Sequence, residues 1–519
     1  MAWVEEGDQQ VHWLRLGGTP RPITHRDDCR YGDLHFVPAW NALLAVEEEN
    51  GSAGVSHRIV RLDADGRRRV IASGADFYAS PVAERNGERI AWVEWDRPHQ
   101  PWTRTRLCES FAGEERCLAG QARHESIQQP RFAEDGRLHW LSDCAGSWQP
   151  YHEVLGALPC AAADHASAPW QLGGHTYLPL PRGNLLATRY EEGRGVLVLY
   201  DGRGGERRLA AEYSRFRSLA ADERHFYCIA AAPDRLPTLL AIRRVDGSTQ
   251  VLAGGERPLP EAELSRGEAF HYPVGEDECG HGFFYPAHGN RPAPPLVVFL
   301  HGGPTSACYP VFDGRIQFWT RRGFAVADLN YRGSSGYGRA YRERLHLGWG
   351  QVEVEDIGAA LDCLGNAGRI DRQRVFVRGA SAGGYSALMA LARLDGLRGC
   401  ASLYGVSDPQ ALARVTHKFE ADYLDWLIGD PQQDAGRYRE RTPVLLAGQI
   451  KVPVIFFQGE LDAVVVPAQT DAMVESLRRR GVPVEVHRYA GERHGFRQAA
   501  NLAHALEAEW RFYQALLEV

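Results

Sequence analysis

The sequence predicts two domains of different class: an N-terminal β-propeller of about six blade units, the first incomplete, and a C-terminal α/β domain with a doubly wound, mostly parallel sheet. Two observations carry this. Short strands with period-2 patterning recur at a near-constant interval before residue 255, and continuous apolar strands alternate with helical segments after residue 267. A length of 519 residues exceeds one ordinary core and accommodates both.

In the first half, an apolar strand, a Gly-containing polar turn and a second strand begin near residue 9 (Val11-His12-Trp13). The unit returns near 57 (Arg58-Ile59-Val60), 105 (Arg106-Leu107), 195 (Val196-Leu197) and 238 (Leu239-Leu240), with a degenerate copy near 150. Between these hairpins a second pair recurs, as Ser80-Pro81 through Gly87 to Trp92 and Gln129-Pro130 through Gly136 to Trp140. Four strands per blade-sized repeat is a propeller signature, whereas a β-sandwich requires no fixed period. Ala2-Trp3-Val4 resembles Ala91-Trp92-Val93, so the chain is expected to begin partway through a blade. Residues 1–255 are therefore read as the propeller, 256–267 as a Pro/Glu/Gly-rich linker and 268–519 as the α/β domain.

In the second half, two strands are expected around 268–286. Buried strands follow at 295–300, 325–329, 375–378, 399–403 and 452–457, each too apolar to face water on either side.

Composition excludes several classes. The net charge of −7 leaves no footprint for nucleic acid, and no apolar run is long enough to span a membrane. The first residues lack the pattern of a secretory signal, and the ten scattered cysteines show no metal-binding spacing, so reduced thiols and a cytoplasmic location are expected. Cys108 and Cys117 are placed to meet across a hairpin. No cofactor is expected, and self-association is left open.

Gly379-Ala380-Ser381-Ala382-Gly383 lies between the strand ending at Arg378 and an apolar helical stretch from Tyr385 to Leu394. This is a G-x-S-x-G elbow in strand–turn–helix context, so Ser381 is the expected nucleophile. The turn is so tight that a Cβ at either flanking glycine would clash. Asp462, at the C-terminal end of strand 452–457, is the expected acid, with Glu460 as a competitor better read as a solvated loop residue. His494, after the strand from Val484 to Tyr489 and before the last helix, is the expected base. The order Ser, Asp, His is that of the α/β-hydrolase class. Strand 295–300 ends in His301-Gly302-Gly303-Pro304, whose Gly303 N–H, with that of Ala382, is the expected oxyanion hole. His301, Tyr337 and Tyr385 are candidate substrate-pocket residues, with Trp319, Trp349 and Trp426 as further aromatic candidates. Any single one of these tryptophans and tyrosines is better read as core packing.

With these motifs in hand, the sequence resembles the prolyl oligopeptidase family, in its bacterial acylaminoacyl-peptidase or dipeptidyl-aminopeptidase-like branch. The likeness rests on His301 to Ser306, Asn330 to Gly338, Gly379 to Tyr385, Thr416 to Glu420, Gln458 to Asp462 and His494 to Phe496. It implies a propeller that caps the active site and restricts access to short peptides or acyl-peptides. Members usually carry seven blades and a preceding segment; this sequence reads as one blade and that segment short. Dipeptidyl peptidases of the family grip the substrate amine with paired propeller glutamates. The adjacent candidates here are Glu191-Glu192 and Glu47-Glu48-Glu49, both read as lying at solvated hairpin turns. Where those enzymes carry an Asn two positions after the acid, this sequence has Val464, and His301 stands where some members place an oxyanion-hole Tyr. The departures favour an acylaminoacyl-peptidase-like serine peptidase. An esterase or amidase on small acyl substrates and a non-catalytic propeller binding module are the competing functions.

Overall fold

A computed structural model describes residues 1–289 and 292–518. Six antiparallel sheets come first, spanning 2–22, 29–73, 77–119, 127–157, 177–209 and 215–254, here blades 1 to 6. Blades 2 to 6 each have four strands in sequence order. Blade 1 has three, and its Ala2–Val4 and Val11–Trp13 pair as Arg89–Trp95 and Arg106–Phe111 do in blade 3, so its strands correspond to the second to fourth of the others. Each repeated hairpin of the sequence forms the two outermost strands of a blade, including the degenerate copy at Gln149–His152 and Gly156–Ala157.

Alternation explains how the blades stack. Leu44, Val46 and Ile59 of blade 2 pack on Tyr78, Ile90 and Trp92 of blade 3, while Phe77, Val93 and Leu107 from the opposite face of blade 3 pack on Ile127 and Leu138 of blade 4. The leading strands of blades 2, 3, 4 and 6 share a feature that the repeat did not reveal. Each is bulged, with Asp33, Ser80, Gln129 or Ser218 in the left-handed region. An extra residue at that point bends the innermost strand and increases its twist.

The last strand of blade 6 ends at Gly254, and the second domain's sheet begins at Glu268. Its eight strands run, in spatial order, 268–274, 278–285, 325–330, 296–300, 375–380, 397–403, 454–459 and 484–489. The first two pair antiparallel and the remaining six are mutually parallel. Alternate residues of each central strand face two separate apolar layers: Leu296, Val298, Val375 and Val377 one way, Val297, Phe376 and Ile455 the other. Helices Val352–Asn366, Ala382–Arg393 and Pro467–Arg478 cover the first layer, and Gly314–Thr320 and Ala499–Leu517 the second. Burial on both faces is why these strands read as unbroken apolar runs. No helix among the described residues is long and apolar enough to cross a membrane.

The two domains share a core. Trp102, Trp148 and Tyr177 of the propeller belong to the same buried cluster as Tyr331, Leu345 and Trp349. Within it lies an ion pair: the Arg342 guanidinium, 1% exposed and stacked 3.8 Å from the Trp148 ring, meets the fully buried Asp143 carboxylate, which also accepts from Arg339 at 2.9 Å. A buried charge stripped of its partner is expensive, so Asp143→Ala is expected to destabilise the protein by about 3–5 kcal/mol. Urea unfolding checks this; a loss below about 1 kcal/mol would show that Arg342 finds compensation without Asp143.

Candidate active site

The elbow is built by close backbone contact. A Cβ on Gly379 would run into the Gly383 carbonyl, and one on Gly383 into the carbonyl of Leu300 on the neighbouring strand. With both flanks pressed this closely, Ser381 adopts φ 56°, ψ −121° as the residue preceding helix Ala382–Arg393. That conformation is costly for a side chain with a Cβ and persists only because the surroundings over-determine it.

The structure brings the three predicted catalytic side chains together. The Ser381 hydroxyl donates to His494 Nε2 at 2.9 Å, and His494 Nδ1 donates to Asp462 Oδ2 at 2.8 Å. The other oxygen of Asp462 accepts from the amides of Val464 and Val465, both at 2.9 Å, so the carboxylate is buried with both oxygens occupied. Glu460 is exposed, as its reading as a loop residue requires. The His494 loop rests on a buried carboxylate that sequence reasoning passed over. Glu492 accepts from the amides of Arg497 and Gln498 at 2.9 and 3.0 Å and from Asn501 at 2.8 Å. Tyr404 packs edge-on to the His494 ring at 5.0 Å.

Gly303 (φ 123°) and Ala382 line one pocket with Ser381. Among the described residues neither amide donates a hydrogen bond within the fold, and Ala382 opens a helix whose N-terminal dipole favours negative charge. The rest of the pocket is largely apolar, with Trp349, Val406, Leu412, Tyr423, Leu427 and Val464 on its walls.

The other pocket candidates lie elsewhere. Tyr385 is wholly buried behind Trp349, stacked at 3.9 Å with its hydroxyl donating to the Arg441 carbonyl. Tyr337 stacks on His281 at 4.3 Å and accepts from Asn330 at 3.0 Å. His301 stacks on Tyr331 and bonds Ser334 Oγ at 2.7 Å; burial pushes its imidazole down to about 4, which suits a neutral ring shaping the loop. Trp319 is buried in the layer beneath the last helix, and Trp426 stacks on the back of Tyr423. Pocket walls such as Val406, Leu412 and Leu427 carry no motif, so only the folded chain identifies them.

Of the two glutamate runs, Glu191-Glu192 stands at a hairpin turn as expected, and the other does not. Glu47 to Glu49 lie inside the strand Ala42–Gly51 and not at a turn; Glu47 is fully buried against Arg68, and Glu49 pairs with Arg58 at 2.5 Å. Glu191 ends a strand and is held by Arg189 and Arg208, while Glu192 occupies an exposed turn. Cys108 and Cys117 are direct cross-strand neighbours and remain thiols.

A prolyl oligopeptidase family model matches residues 310–519. A Mycobacterium tuberculosis puromycin-hydrolysing peptidase of known structure is 34% identical, superposes with a TM-score of 0.93, and is matched over 99% of this chain and 84% of its own. The chain belongs to the prolyl oligopeptidase family. A puromycin hydrolase mutant complexed with PGG is 30% identical with a TM-score of 0.94, over 100% of this chain and 84% of that one. Dipeptidyl aminopeptidase BIII of Pseudoxanthomonas mexicana is 31% identical over 220 residues, 41% of this chain and 32% of that relative, so this match spans about a third of the relative's length.

Beneath the pocket, Glu353 accepts from the Gly350 amide at 2.8 Å and from Ser386 in the nucleophile's helix at 3.1 Å, while its second oxygen has no partner among the described residues. Burial pushes this carboxyl up from 4.5 to about 7. The folded state therefore keeps a proton that the unfolded chain releases, and stability is expected to fall as pH rises from about 4.5 to about 7. Glu353→Gln cannot ionise and is expected to remove that slope, gaining on wild type above pH 7 and not below 4.5. Thermal unfolding across this range is the measurement; parallel curves for the two proteins would refute it.

Proposed function

We propose that this chain is a serine peptidase that hydrolyses short peptides through an acyl-enzyme on Ser381. The observation that carries the reading is the His494 ring, bonded at once to the Ser381 hydroxyl and the Asp462 carboxylate. His494 Nε2 takes the hydroxyl proton as Oγ attacks the substrate carbonyl carbon, and Asp462 stabilises the imidazolium and fixes its tautomer. The amides of Gly303 and Ala382 receive the developing oxyanion. His494 then gives its proton to the leaving amine, and water, deprotonated in turn by His494, releases the acyl group. Residues 268–519 form the catalytic unit in this reading, with 1–255 as a propeller above it and 256–267 as the linker. Names of similar chains, a dipeptidyl aminopeptidase and puromycin-hydrolysing peptidases, support hydrolysis over a purely binding role. Ten free thiols support a reducing, cytoplasmic setting.

A fluorophosphonate probe is expected to label the wild type and not Ser381→Ala, and Ser381→Ala and Asp462→Asn are each expected to lower kcat on aminoacyl p-nitroanilides by about 10⁴-fold or more. Turnover of p-nitrophenyl esters alone would replace the peptidase reading by an esterase. A wild type that takes no label would leave the propeller as a binding module.

A further inference from the structure

One charged side chain lines the pocket beside Ser381, that of Glu420. It closes the short turn Lys418–Glu420, and its side chain is 21% exposed. Its polar neighbours are weak: Thr416 Oγ1 donates to Oε2 at 3.3 Å, and the half-exposed His417 lies 3.5 Å away. Among the described residues no arginine or lysine pairs with it, whereas Glu47, Glu49 and Glu191 are all held by arginines. A carboxylate partly withdrawn from water at the edge of an apolar pocket is poorly compensated until a cation arrives.

The turn is fixed from the propeller side. Lys418 meets the Asp76 carboxylate at 3.1 Å, Gln100 donates to the Phe419 carbonyl at 2.8 Å, and Arg97 grips Asp422 with two bonds. Phe419 packs between Phe77 and Trp102. Glu420 is thus presented to the pocket by the propeller, although it belongs to the α/β domain.

In an unblocked substrate the α-ammonium sits on the carbon next to the carbonyl that Ser381 attacks. The carboxylate that binds this ammonium must therefore border the same pocket as Ser381, and Glu420 does. We propose, on the footing of the peptidase reading, that Glu420 anchors the α-ammonium of the substrate residue whose carbonyl is attacked. The apolar walls then take that residue's side chain, so the substrate class is peptides with a free amino terminus and an apolar first residue. N-acylated peptides, whose amide carries no charge, lose the anchor.

The test compares wild type, Glu420→Gln and Glu420→Asp on leucyl, N-acetyl-leucyl and N-acetyl-lysyl p-nitroanilides, and on p-nitrophenyl esters of leucine and N-acetyl-leucine. Wild type is expected to favour the free-amine member of each leucine pair at least tenfold. Glu420→Gln is expected to lower kcat/KM on that member by about 10- to 100-fold, the scale of one charge-assisted hydrogen bond, and to bring the pair together. Glu420→Asp, which keeps the charge on a shorter arm, should retain part of the preference. A wild type that cleaves the N-acetyl member equally well or better overturns the proposal. So does an equal loss on both members, or a loss confined to the lysyl substrate, which would make Glu420 a reader of basic side chains. If only the esters turn over, the peptidase reading falls while the ester pair still decides the role of Glu420.

Discussion

The contact on which the site depends is between backbones. Gly379, Gly383 and the end of strand Leu296–Leu300 approach so closely that no Cβ fits at either glycine, and this packing holds Ser381 in a conformation a free chain would leave. It also aligns the amide after the nucleophile with the loop carrying Gly303, because that loop continues the strand whose Leu300 carbonyl bounds Gly383. A similar closeness recurs at the acid. A Cβ on Gly459 would meet the carbonyls of Glu492 and Arg493, so the turn bearing Asp462 and the loop bearing His494 lie against each other. Three side chains from distant parts of the chain meet because glycine lets the backbones beneath them touch.

The propeller contributes more than a cover. Its loops hold both margins of the pocket: Trp170 donates to the Thr305 carbonyl at 2.5 Å just beyond the Gly303 turn, and residues near Asp76, Arg97 and Gln100 hold the 418–422 segment. The Tyr423 hydroxyl bonds Thr305 at 2.5 Å and its ring lies 5.3 Å from Trp102, closing a circuit of aromatic contacts from blade to pocket wall. Two domains that share a buried cluster in this way transmit packing changes directly, since close-packed interiors have little room to absorb them.

What could be read in the sequence follows from how local each constraint is. The elbow was legible because a steric requirement is written into five consecutive residues, and the acid and base because each stands at the end of a strong strand signal. Blade period was legible because every blade repeats the same alternation, even where blade 4 shortens its last strand to Gly156–Ala157. The bulges at Asp33, Ser80, Gln129 and Ser218 were not, since non-glycine residues in the left-handed region leave no consistent residue type behind. Tyr385 stands in the motif beside the nucleophile, yet helix direction turns it into the core. Tyr337, in the loop after strand 325–330, stacks on His281 and not on the Ser381 pocket. Glu47 was misread because a buried carboxylate inside a strand makes sense only once Arg68 is seen across the sheet.

Glu420 shows the same limit from the other side. Within its own stretch, Thr416 to Glu420, it is one polar residue among several, and nothing in local pattern separates it from Lys418 two positions earlier. The fold separates them: Lys418 is turned to the propeller and neutralised by Asp76, which leaves the carboxylate of Glu420 lining the pocket with no matching arginine or lysine among the described residues. On the proposed role of Glu420, specificity is set at the seam between domains, where one domain supplies the charge and the other supplies the grip that aims it. With Glu420 in the proposed role, the reacting groups are held by glycine contacts inside the sheet, and the recognising group is held from outside it by Asp76, Arg97 and Gln100.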